Sequence, residues 1–310
     1  MEIIARLANL PGALPGACAQ GLIWGIMAIG VYLTYRILDV ADLTVDGSIC
    51  TGAAVCTMLL LGGQSPWLAL LCAVLAGVLA GAVTGLLHVG LGIPPILAGI
   101  LTQMVLWSVN LKLLGKANQA LPARTTPVLL SQMDVGGALP VLLGFCVVLV
   151  ALLVLFFGTE LGCALRATGC NPVMSRAQGV NTGLMKIIGL ALSNGVVALS
   201  GALLCQYQGY TDVNMGRGAV VIGLAAVVIG QAVLGRRGGR MAVQLGGVIL
   251  GAVIYYIVYQ VIIFAGFDTD LLKMFSAVVV AVFLGAPHVK AQLKAHSRSK
   301  KGDSGHAENE

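Results

Sequence analysis

The sequence predicts an all-α protein, a polytopic transmembrane bundle of about nine membrane helices, within a range of about eight to ten. Three observations predict it. The chain is 58% hydrophobic and 10% charged, whereas a soluble domain carries about 25% charged residues. The apolar residues fall into stretches of membrane-crossing length, about 17–25 residues. Lys and Arg are unevenly shared between the connecting segments, as the positive-inside rule expects of a membrane protein.

The predicted segments run 14–35, 46–63, 66–90, 94–114, 138–158, 183–206, 218–234, 243–264 and 271–287. Together they make residues 1–287 one transmembrane domain. Ahead of the first lies "MEIIARLANLPGALPGACAQ", where Glu2, Arg6, Pro11 and Pro15 interrupt the apolar run. A cleaved signal needs a positive start and an unbroken apolar core, so this stretch reads as an interfacial lead-in. The second segment is the least secure, because it follows "LDVADLTVDGS" with Asp39, Asp42 and Asp46. Pro94 and Pro95 either start the fourth helix or break a longer one. The polar tail, residues 288–310, reads as disordered.

Alternating the segments from a cytoplasmic 159–182 loop puts 12 Lys and Arg inside and six outside. This orientation leaves the N-terminus outside and the C-terminus in the cytoplasm. The net charge of +6 is then topology plus a solvated tail, and no nucleic-acid partner is expected. Membrane lipid is. Small residues recur at helix-packing spacing, as in Gly77, Gly81 and Gly85, Gly21 and Gly25, and Gly247 and Gly251. Such faces serve packing within one chain or a dimer seam.

The eight cysteines form no C-x-x-C pair and the four histidines are scattered. No metal or other cofactor is expected, and the cysteines read as free thiols. There is no G-x-x-x-x-G-K-[ST] phosphate loop and no nucleophile–base constellation. The chain therefore does not read as an enzyme, and any ATP hydrolysis falls to a separate subunit.

The stretch "TELGCALRATGCNPVMSRAQGVNT", residues 159–182, is polar between two apolar segments. Thr159 can N-cap a short helix with Glu160 in its first turn, ending at Gly169 as the C′ residue. Asn171 can N-cap a second helix with Pro172 at its first position, ended by Gly179. Val173, Met174 and Ala177 supply an apolar face, with Arg166 and Arg176 as polar anchors. A docking surface and an amphipathic loop resting on lipid headgroups both fit this pattern.

The run "LGCALRATGCNPVMSRAQGVNTGLMKIIGLALSNGVVALSGALL" resembles the cytoplasmic loop and following helix of ABC importer permeases of the branched-chain amino acid and ribose type. "ADLTVDGSICTGAA", "GIPPILAGILT" and "GLAAVVIGQAVLG" resemble the same family. They are most similar to a bacterial subgroup paired with a substrate-binding lipoprotein and an ATPase. The resemblance covers roughly residues 20–287. It implies that the loop is a coupling helix seated on the ATPase subunit, carried by Arg166, Ala167, Gly169, Asn171, Pro172, Ala177 and Gly179. Cys170 departs from the pattern, where Asp or another polar residue is expected. The resemblance also implies a homodimer in the bacterial inner membrane, with one path between two copies. An extracytoplasmic binding protein would deliver a small solute, an amino acid, aromatic ones included.

Polar residues inside membrane helices face a cavity or bond a neighbouring helix. The candidates for a substrate pathway are Asp46, Thr102, Gln103, Asn110, Asn194 and Gln206. For Asp46 the alternative is a cap on the second helix at the water boundary. Trp24, Trp67 and Trp107 read as packing or interface residues. The rival function is a secondary transporter driven by an ion gradient, which would need an essential intramembrane acid or inverted repeats; Asp46 is the one acid placed for it, and the sequence shows no clear inverted repeat.

Overall fold

A computed structural model describes residues 10–122, 126–234 and 240–264, with positions 274, 278 and 281. Helix α1, Leu10–Tyr32, is already formed ahead of Pro15 and runs through it. The helix continues because one proline removes a single backbone bond and the apolar environment holds the rest. It passes directly into a π-helical stretch, Leu33–Leu38. Asp39 then takes the left-handed conformation, φ 55°, and turns the chain back into the protein.

Next come α2 (Val45–Leu61), α3 (Pro66–Gly90), α4 (Pro95–Leu114) and a short strand β1 (Asn118–Ala120). Pro66 and Pro95 both sit in first turns, where the missing N–H is no loss. Then follow α5 (Val135–Gly158), α6 (Glu160–Cys170), α7 (Pro172–Ala177) and α8 (Thr182–Gln208). Strand β2 (Tyr210–Asp212) pairs antiparallel with β1, and α9 (Ala219–Leu234) and α10 (Met241–Phe264) close the described chain. Among the described residues, six helices are long and apolar enough to cross a membrane, while α2 and α9 are shorter. The ninth predicted segment, 271–287, and the tail lie outside the described residues but for the three isolated positions.

The bundle is built around α8, which packs on α1, α2 and α3. The predicted small-residue faces all do their packing within the chain. Gly81 of α3 lies against the Leu190 carbonyl of α8, so close that a Cβ there would overlap the backbone. Gly21 and Gly25 meet Val253 and Ile249 of α10, and Gly251 meets Ala226 of α9. Helix α5 lies outermost. It leaves Val147, Val148, Leu152 and Leu155 exposed, an apolar surface for lipid.

The two short helices are short because they begin inside the bundle. Asn194 lies on α8, and its amide bonds both Asp42, just before α2, and Ser48 in the first turns of α2. Positions 182 to 194 span 12 residues, about 18 Å at about 1.5 Å per residue. Helix α8 is 27 residues long, so α2 starts nearly half-way along it. Asp46, in the first turn of α2, accepts hydrogen bonds from Gly218 and Val220 at the start of α9. Both helices therefore begin at one level, each after an irregular segment that enters the protein. Such backbone is tolerated at membrane depth where protein or a cavity surrounds it.

Candidate functional site

Three features meet around these helix starts. The first is a buried polar network. The Asp42 carboxyl accepts from the Thr44 N–H (2.8 Å) and from Asn194 Nδ2 (2.7 Å). Ser48 Oγ donates to Asn194 Oδ1 at 2.6 Å. Beside it, Thr44 Oγ1 and Thr84 Oγ1 share a bond of 2.8 Å, and Thr84 Oγ1 donates to Thr102 Oγ1 at 2.9 Å. Thr102 Oγ1 donates in turn to the Ala98 carbonyl at 3.0 Å. One network thus ties α2, α3, α4 and α8 together in a setting where each bond replaces lost solvation.

The second feature is a cavity of about 470 Å³ beside α2 and α4. Asp46, Gln103, Ser108, Asn110 and Arg217 supply its polar lining, and Met104 and Trp107 belong to its apolar wall. Asp46 Oδ1 accepts from Val220 N at 3.1 Å and Oδ2 from Gly218 N at 3.0 Å. Asp46 thus sits in the first turn of α2 and also caps the start of α9. Asn110 is 1% exposed, and neither its amide nitrogen nor its amide oxygen has a hydrogen-bond partner. A stranded buried amide costs on the order of 1–3 kcal/mol. Arg217 also borders a second cavity of about 600 Å³ lined by Trp24, Tyr255, Tyr256 and Tyr259.

Of the six predicted pathway residues, the structure gathers Asp46, Gln103 and Asn110 at the cavity. Thr102 and Asn194 lie in the adjoining network. Gln206 stands apart: its Oε1 accepts from Leu129 N at 3.0 Å and its Nε2 lies 3.4 Å from Cys56 Sγ, so it anchors the segment before α5. Sequence reasoning missed Thr84 and gave Arg217 no role beyond its charge. The signal for Thr84 was a lone hydroxyl within the Gly77–Gly81–Gly85 stripe. For Arg217 it was an arginine beside a glycine just ahead of an apolar helix.

The third feature is the 159–182 loop, at the end of the bundle where α5 finishes and α8 starts. Thr159 Oγ1 caps α6 at Gly162 N (3.3 Å). Asn171 Oδ1 caps α7 at Val173 N (3.1 Å) and Met174 N (3.0 Å), with Pro172 at the first position. Gly179 adopts φ 85° after α7, and Asn181 caps α8. One expectation is corrected. Gly169 is not the residue that ends α6, which continues to Cys170. It is glycine because it packs on the backbone of Ile37 and Leu38 at the end of the π-helical stretch. Arg166 Nη2 donates to the Phe157 carbonyl at 3.2 Å, and Arg176 Nη2 to Thr182 Oγ1 at 3.0 Å. Val173 is 77% and Met174 61% exposed, while Ala167, Cys170 and Ala177 are also exposed.

A bundle of membrane-length helices with a capped two-helix loop is the architecture that the family resemblance implies, and comparison with known proteins decides the family. The family described as "Branched-chain amino acid transport system / permease component" matches residues 14–286. The chain belongs to this permease family. This permease is 39% identical to a tyrosine transport system permease protein of Clostridioides difficile (strain R20291), over 89% of its own length and 91% of the relative's. It is 30% identical to the autoinducer 2 import system permease protein LsrC of Escherichia coli (strain K12 / DH10B), over 74% and 66%. A solved inward-facing structure assigned to the metal-chelate type of ABC transporter shares the fold. It matches with a TM-score of 0.50 at 15% identity, over 89% of this chain and 84% of that one. The permease is thus a multi-pass membrane component of an ABC transporter.

Proposed function

We propose that this permease forms the translocation path of a bacterial amino acid importer, working as a pair of identical copies. An extracytoplasmic binding lipoprotein delivers the amino acid, aromatic ones included, and a separate ATPase subunit supplies the energy. The N-terminus faces outward and the 159–182 loop faces the cytoplasm, where Arg166, Ala167, Gly169, Asn171, Pro172, Arg176, Ala177 and Gly179 build the coupling element. The amino acid passes the level of Asp46, Gln103 and Asn110, with Thr102 and Asn194 holding the helices beside it. The similarity to a tyrosine transport permease supports the substrate class.

One observation carries the coupling assignment. Val173 and Met174 stand exposed on a helix whose two ends are fixed by caps, while Gly169 locks the preceding helix against the π-helical end of α1. A partner gripping α7 would therefore pull on α1. The roles of Arg166 and Arg176 are refined accordingly: both guanidiniums brace the loop internally, and the two apolar side chains face the partner.

The test is capture of the ATPase subunit by the tagged permease in mild detergent. Native permease captures it, and a Val173→Glu/Met174→Glu variant does not, though it inserts normally. Equal capture by both would sink the coupling assignment. Uptake that survives ATP depletion and collapses with an ionophore would replace this reading with a gradient-driven transporter.

A further inference from the structure

The orphaned amide of Asn110 is the feature the fold itself does not explain. The other buried polar groups named in this region, in Asp42, Thr44, Ser48, Thr84, Thr102 and Asn194, are bonded. Asn110 lines the same cavity as Asp46 and Arg217, yet its nitrogen and its oxygen are both unpaired. A carboxamide offers two donors and an acceptor, so its missing partner carries hydrogen-bonding groups of either sense. The cavity also presents one carboxylate and one guanidinium. Asp46 spends one acceptor site on each backbone N–H it caps and keeps further lone pairs on both oxygens. Arg217 stands directly before Gly218 and α9, a guanidinium beside the helix end that Asp46 caps. Met104 and Trp107 add an apolar and aromatic wall.

We propose that the cavity bounded by Asp46, Gln103, Asn110 and Arg217 is a selectivity site for the zwitterionic head of an α-amino acid. Arg217 receives the carboxylate, Asp46 receives the ammonium, and Asn110 gains its hydrogen-bond partner from the bound head. Gln103 borders the head, and the Met104–Trp107 wall takes the side chain. The site rests on the amino acid reading above and deepens it. It makes the permease itself, besides any binding protein, a filter for substrates that carry both charges.

The experiment has two arms. In the first, the full native system is reconstituted in liposomes and offered L-tyrosine and a panel of other L-amino acids. In the second, the permease–ATPase complex in lipid nanodiscs, without binding protein, is titrated at up to millimolar concentration with the amino acid taken up and with its α-carboxamide. Native complex is expected to bind the amino acid about ten-fold or more tightly than the carboxamide, the loss expected for a charge-assisted bond. Arg217→Gln should reduce that preference to about three-fold or less and Arg217→Lys should restore it, as a charge contact predicts. Asn110→Leu should weaken binding about ten-fold while the ATPase still co-purifies. If the native system takes up the amino acid but the native complex does not bind it, the site is overturned and the importer reading stands. The site is equally overturned if Arg217→Gln and Asn110→Leu bind and discriminate like native. If no amino acid is taken up in the first arm, the amino acid reading falls and the site with it.

Discussion

The 159–182 loop and the interior cluster around Asp42, Asp46 and Asn194 are both polar islands in an apolar chain, yet they are held in opposite ways. In the loop the hydrogen bonds are local. Thr159, Asn171 and Asn181 cap helices two or three residues ahead, and Arg176 reaches Thr182. In the interior the contacts are distant in sequence: Asn194 bonds Asp42 and Ser48, and Asp46 bonds Gly218 and Val220. Local polar contacts build an exposed surface that a partner can grip. Distant ones join broken helices at membrane depth, where a change in one helix must be felt by the others. The first kind suits docking and the second suits a moving path.

The largest effect should come from breaking the distant kind. Asn194→Leu leaves an Asp42 oxygen and the Ser48 hydroxyl without their partner in the interior. Stranded buried groups cost on the order of 1–3 kcal/mol each, so a loss of about 3 kcal/mol is expected. Thermal unfolding in detergent should show a clear drop, with less protein recovered from the membrane. A melting temperature within a degree or two of native would mean that the network is not structural.

The same contrast explains what could be read from the sequence. The loop was legible almost residue by residue, because caps, Pro172 and Gly179 act within one or two turns. Its one error, Gly169, arose where a distant contact with Ile37 decided the residue. The helices of full membrane length were legible because length and apolarity suffice. The depth at which α2 and α9 begin was not, since Asp46 and Gly218 lie far apart in the chain and no local signal pairs them. Asp46, Gln103 and Asn110 could be named from polarity alone, but not gathered at one cavity. Gln206 has the same polarity and serves a loop instead.

Gly169→Leu tests a place where the loop is tied to the bundle by a distant contact. A side chain there must displace the Ile37–Leu38 backbone, and overpacking of this kind costs about 1–3 kcal/mol. Residues 33–39 should become more open to hydrogen exchange while the interior of α8 keeps its protection. If exchange in residues 33–39 is unchanged, α6 is not fixed to the π-helical stretch as described.

A smaller effect is expected at Asn171→Ala, which removes the cap shared by Val173 N and Met174 N. Losing such a cap costs about 1 kcal/mol. Because α7 is only six residues long, the loss should loosen that helix and spare the bundle. ATPase capture should weaken without falling to the level of Val173→Glu/Met174→Glu. Capture equal to native would show that α7 needs no preset shape to bind.

The smallest effect, and the one of opposite sign, belongs to Asn110→Leu. Removing the Asn194 amide strands its partners, but the Asn110 amide has none to strand. Leucine has the branched four-atom skeleton of asparagine and needs no hydrogen bond, and the adjoining cavity has room for its bulkier methyl groups, so the variant should match native stability or exceed it by up to about 1 kcal/mol. Equal or higher thermal stability joined to weaker amino acid binding would separate a residue kept for a ligand from one kept for the fold. A loss of stability comparable to Asn194→Leu would show instead that Asn110 has a structural partner in the assembled transporter, such as the second copy of the chain. Two asparagines, both buried in the same bundle, should thus give opposite answers to the same substitution, because one has partners to strand and the other has none.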